Sequence, residues 1–105
     1  MDLSAWHLWY KRRGGRQLRQ LMMEEWDPIE VQGVPEALDE YDTYVGRVAD
    51  RLRRGASADE VAAMLGAYRT ESMELAPDPI ADLAAATVIV AWYGEAMRAE
   101  GASNA

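Results

Sequence analysis

Eighteen carboxylates, one histidine and no cysteine bound the chemistry open to this chain of 105 residues. The absence of cysteine removes disulfides, zinc knuckles and thiol catalysis together. His7 stands alone, and one imidazole without a second His or a Cys makes a poor metal site. No Ser or Asp lies at a spacing from it that suggests a nucleophile. It reads as a histidine at the edge of a core. The carboxylates are clustered, with Glu24, Glu25 and Asp27 followed by Asp39, Glu40 and Asp42. Such groups can work as acid and base, hold a divalent ion, or dock a basic partner. A carboxylate cage inside a helical bundle normally adds a Glu-x-x-His pair. None is present, so neither metal nor cofactor is expected, and a non-enzymatic role is favoured.

The counterpart of the acidic cluster is "WYKRRGGRQLR", residues 9 to 19. Residues 1–23 sum to +4 and residues 24–42 to -8; residues 43–54 return to +3, and the whole chain carries -7. "RRGGR" is a single copy of an arginine-glycine pattern, and a pI near 4.6 opposes the electrostatic footprint of a nucleic-acid binder. Net negative charge likewise argues against an anionic membrane surface. Trp9, set among Arg12, Arg13 and Arg16, reads either as an interface anchor stacked on guanidinium groups or as a residue packed on the chain's own last helix.

Helices must position these groups. At 100° per residue, Leu3, His7, Tyr10, Gly14, Leu18, Leu21, Met22 and Glu25 share one side of a helix from about Leu3 to Trp26, and the arginines gather opposite as a solvated face. Gly14 and Gly15 are a weak point that leaves two shorter helices as an alternative. Asp27 to Asp39 is connection, punctuated by Pro28, Gly33 and Pro35. A second helix runs from about Asp39 to Arg54 and stops at Gly55. Its dipole accounts for Asp39, Glu40 and Asp42 at its start, whereas Glu24 and Glu25 at a helix C-terminus need cations such as Arg47, Arg51 or Arg69. Ser57 to Glu60 is a capping box for a third helix. Asp78 and Pro79 open a fourth, to about Arg98, followed by a disordered tail over residues 101–105.

The fourth helix is apolar around most of its circumference, which places it at the centre of the fold or under a partner. Ile89, Trp92 and Tyr93 are the residues expected at such an oligomer interface. Its longest uncharged run, Leu83 to Gly94, is shorter than the roughly 20 residues a spanning helix needs. No secretory leader is expected, so the expected compartment is the cytoplasm.

The segments "EEWDPIEV", "DEYDTYVGRVADRLRRGASADEVAAML" and "RTESMEL" resemble the YugE-like group of small bacterial proteins. Trp26, Asp27, Pro28, Tyr41 and Asp42 carry the resemblance, over roughly residues 17 to 75. It implies a four-helix fold in which Pro28 ends the first helix and Trp26 and Tyr41 close a lid over the join. It implies no activity and no catalytic residues.

The expected fold is therefore all-α, an irregular four-helix bundle of one domain. The favoured function is a binding protein whose acidic patch of Glu24, Glu25, Asp27, Asp39, Glu40 and Asp42, with Trp9, docks a basic protein, as small acidic immunity proteins neutralise toxins. The alternative is a homo-oligomeric structural or regulatory subunit assembled through the last helix.

Overall fold

In the computed structural model, which describes residues 1–26 and 35–103 apart from the side chains of 35–39 and 102–103, helix α1 (Leu3–Trp9) begins at Asp2, whose carboxylate accepts the Ala5 amide at 2.7 Å. It runs without a break through a π-helical turn, Tyr10–Gly14, into α2 (Gly15–Glu25). The helix therefore does not divide at the paired glycines. The irregularity is one wide turn, closed by the Gly15 amide donating to the Tyr10 carbonyl five residues back.

That turn changes which side of the rod faces inward. One extra residue rotates everything upstream by about 100° relative to a regular helix. Trp6 and Trp9 are consequently buried, while Leu3 and His7, expected on the inner stripe, are exposed. Gly14 is what admits the turn, because a Cβ built there would lie 2.5 Å from the Trp9 ring. Downstream the expected register holds, and Leu18 and Met22 are buried.

Helix α3 (Pro35–Arg53) starts a full turn earlier than Asp39, at a proline suited to the first helical position. It ends on Gly55 at φ +89. The Ala56 amide reaches the Arg51 carbonyl and the Gly55 amide the Leu52 carbonyl, each at 3.0 Å, which is the Schellman closure that favours glycine. Helix α4 (Ala58–Ala67) carries the expected capping box between Ser57 and Glu60 and continues into a second π-helical turn, Tyr68–Ser72. Helix α5 (Pro79–Ser103) is capped by Asp78, whose carboxylate accepts the Ala81 amide at 3.1 Å. Residues 101–103 belong to it, so the tail is helical that far.

The result is all-α, four helical rods with no strand among the described residues. Helix α4 lies along α5, and α2 packs between α3 and α5. With no Phe in the chain, Trp and Tyr fill the core, and each buried one brings a polar atom that needs a partner. At one end Trp6, Trp9, Tyr10, Trp92 and Tyr93 pack together, with the Trp6 indole N–H donating to the Tyr93 hydroxyl at 2.9 Å. At the other, Trp26, Tyr41, Tyr44 and Tyr68 pack together. Leu18, Met22, Val48, Val61, Leu65 and Ile89 fill the space between.

Candidate interaction surfaces

Glu24 and Glu25 are exposed at the end of α2. Glu24 accepts from the Gln20 amide at 2.6 Å, and Glu25 has no ion pair among the described residues. The cations expected to neutralise them are engaged elsewhere. Arg51 pairs with Glu60 at 3.7 Å, Arg47 meets the Tyr68 hydroxyl, and Arg69 turns inward to Asp82.

Glu40 and Asp42 lie within α3 rather than at its start, so the helix dipole does not account for them. They are held by side chains: the Tyr44 hydroxyl donates to Glu40 at 2.7 Å and Arg19 donates to Asp42 at 2.6 Å. Asp27 and the side chain of Asp39 lie outside the described residues. Arg12, Arg13 and Arg16 form the exposed face expected of them, with Arg13 3.4 Å from Glu100.

Trp9 is only 6% exposed and stacks on Trp92 with ring centroids 6.1 Å apart. It joins α1 to α5 and offers no ring to a partner. Ile89 is fully buried, and Trp92 and Tyr93 pack against the N-terminal aromatics. Of the three residues expected at an oligomer interface, Ile89 thus belongs to the chain's own core, and Trp92 and Tyr93 are partly buried against it.

The most connected polar group is one that periodicity passed over. Asp82, on the inner side of α5, accepts three hydrogen bonds at one oxygen: from the Trp26 indole at 2.9 Å and from Arg69 Nε and Nη2 at 3.0 and 2.8 Å. Both ions are buried. The π-helical turn after α4 presents Arg69 inward, so α2, α4 and α5 are tied at one oxygen. Two signals were present in the sequence. Arg69 is the only cation between Arg54 and Arg98, and Asp82 is the only carboxylate between Asp78 and Glu95. This network has the form of a buried ion pair reinforced by the Trp26 indole, which ties the packing of three rods.

Burial raises the pKa of Tyr10 and Tyr93; the charge of Asp42 raises Tyr10 further, while the Trp6 hydrogen bond and Arg53 act the other way on Tyr93. Burial also raises Tyr44 and Tyr68. Arg53 lies over the Trp6 ring at 5.9 Å and donates to Asp50 at 2.8 Å, and these two close one side of an open cleft of about 390 Å³ that also meets Leu3, Tyr93 and Met97. No group of three His, Cys, Asp or Glu side chains among the described residues could hold a metal ion.

The outer face of α5 is apolar and exposed. Ile80 is 84% exposed, Leu83 42% and Val88 38%. With Ala84, Thr87 and Ala91, also exposed, they recur at three- and four-residue spacing, forming one stripe over three turns. Thr87 satisfies its hydroxyl on the Leu83 carbonyl at 2.8 Å, so it asks for no polar partner. Within α5, the span Pro79–Gly101 is long and apolar enough to cross a membrane by length and composition, and 22% of its most apolar window is buried in the fold. This overtakes the expectation from its longest uncharged run.

No protein-family model, curated protein or solved structure matches this chain.

Proposed function

We propose that this protein is a non-enzymatic association module whose working surface is the outer face of α5. The observation that carries the reading is the contiguous exposed stripe of Ile80, Leu83, Ala84, Thr87, Val88 and Ala91, set on a helix whose other side is anchored through Asp82, Ala85, Ala86 and Ile89. Exposed apolar area on one side of a well-anchored helix favours contact with another protein. The likeness to the YugE-like group remains a proposal resting on Trp26, Asp27, Pro28, Tyr41 and Asp42; it brings no activity with it. The cytoplasm is the compartment we propose.

A second reading keeps the acidic edge as the contact, and the exposure of Glu24 and Glu25 without ion pairing among the described residues favours it. Its partner would be a basic protein, with toxin neutralisation as the concrete version. Affinity capture from lysate separates the two, using the wild type beside Val88→Glu and beside Glu24→Lys with Glu25→Lys. Loss of the retained proteins with Val88→Glu alone supports the helix face. Loss only with the charge-reversed pair transfers the function to the acidic edge.

A further inference from the structure

The open cleft beside the N-terminal aromatics, about 390 Å³, has the size of a small-molecule site, roughly 300–1,000 Å³. Leu3, Trp6 and Met97 give it apolar walls, and Arg53 and Tyr93 bring two polar groups to the same space. We infer that it binds a small carboxylate with an apolar chain, the carboxylate held by Arg53 and Tyr93 and the chain lying along Leu3, Trp6 and Met97. The site is separate from the outer face of α5 and does not rest on the reading of that face.

Both donors have capacity to spare. A guanidinium offers five N–H groups, of which Arg53 gives Nη2 to Asp50 at 2.8 Å, while its Nε is buried with no hydrogen-bond partner. Asp50 is itself shared, because its other oxygen takes Arg54 at 3.1 Å. One carboxylate thus faces two guanidiniums, and Arg53 is left with charge to offer. The Tyr93 hydroxyl accepts the Trp6 indole N–H at 2.9 Å, which leaves its own proton to donate. Burial raises the pKa of that hydroxyl, so the proton is in place at neutral pH.

The surroundings select the class of ligand. Trp6 already carries Arg53 at 5.9 Å and stacks on Tyr10 with centroids 5.2 Å apart, so its ring is engaged and a ligand cation would meet Arg53 instead. Asp2, which also meets the cleft, is turned onto the Ala5 amide at 2.7 Å. A planar carboxylate matches a guanidinium edge, and the chain behind it is what the apolar walls accommodate.

The test is a nuclear magnetic resonance titration of the isotope-labelled full chain with octanoate. The Trp6 indole N–H, which donates to Tyr93, is the reporter, and the Trp26 indole, held by Asp82 at the other aromatic end, is the control. The expected result is a saturable shift at Trp6 and none at Trp26, with octan-1-ol weaker by about tenfold or more, the loss that follows from one charge-assisted hydrogen bond. Arg53→Gln is expected to weaken octanoate by a similar factor and to leave octan-1-ol unchanged. Leu3→Glu changes an exposed wall residue and is expected to weaken octanoate without loss of helicity, which keeps the test decisive if Arg53→Gln fails to fold. Val88→Glu, on the outer face of α5, leaves the titration as it is.

No saturable shift at Trp6, equal shifts at Trp6 and Trp26, or octan-1-ol binding as tightly as octanoate each overturns the proposal. So does a response lost with Val88→Glu, because octanoate would then be coating the apolar stripe; in that case the reading of the stripe as a contact surface stands without the cleft.

Discussion

The ring of Trp9 lies over the bare Cα of Gly14, close enough that a Cβ would stand 2.5 Å from it. The wide turn between them rotates Trp6 and Trp9 into the core and lets α1 pack on Trp92 and Tyr93 of α5. Gly14→Ala is therefore expected to cost about 1–3 kcal/mol, the usual range for overpacking. Gly46, inside α3 with nothing within 4 Å of its added Cβ, is the control. Gly46→Ala is expected to gain about 1 kcal/mol from helix propensity. Thermal denaturation of the two variants by circular dichroism gives opposite shifts in Tm, and a rise for both contradicts the contact.

The tie at Asp82 makes a second prediction. Asp82→Ala leaves Arg69 charged and uncompensated in the core and is expected to cost about 3–5 kcal/mol. Arg69→Met combined with Asp82→Leu recovers part of that loss. The remainder is the Trp26 indole N–H left without an acceptor, roughly 1–3 kcal/mol. Urea denaturation curves of the single and double variants measure both quantities.

Much of this fold was legible in the sequence because its stop signals are local. Gly55, the Ser57 and Glu60 pair, and Asp78 before Pro79 act through their own backbone neighbours, and each helix end sits where they place it. The π-helical turn was not legible. It arises from the Trp9 ring and the missing Cβ of Gly14 acting with α5, and a fixed 100° wheel carried across it puts Trp9 on the wrong side. Of the residues expected at an interface, Ile89 is buried and Trp92 and Tyr93 are partly buried against the aromatic end, while Ile80 and Leu83 are exposed; a helix apolar around most of its circumference does not tell by composition which side packs on the fold. Arg69 and Asp82 lie far apart along the chain, and only the tertiary fold brings them together.

Alkaline titration follows from the tyrosines. Burial is the leading cause that raises Tyr10, Tyr44, Tyr68 and Tyr93 above their ordinary value of 10.0. Above that pH the unfolded chain releases protons that the folded chain keeps, so their stabilisation is complete below pH 10 and is lost as pH rises through the folded values. The tyrosinate absorbance is expected to appear together with loss of helicity. Four tyrosines ionising while helicity is unchanged would count against their burial.

At the acidic edge the expected effect on stability is small. Glu24→Lys with Glu25→Lys changes two exposed residues without ion pairs among the described residues, so the free energy of unfolding should stay within about 0.5 kcal/mol of the wild type per site. Chemical denaturation checks this, and a loss several times larger would place these carboxylates in the fold's own energetics.

An association surface on the outer face of α5 becomes covered when the protein binds its partner, and the alkylation rate of a single engineered cysteine in the free and the assembled protein reads this directly. Thr87→Cys, on the exposed stripe, is compared with Gln17→Cys, exposed on α2. Thiol alkylation at position 87 is expected to slow several-fold on assembly while position 17 keeps its rate. Equal rates at position 87 in both states would contradict the account.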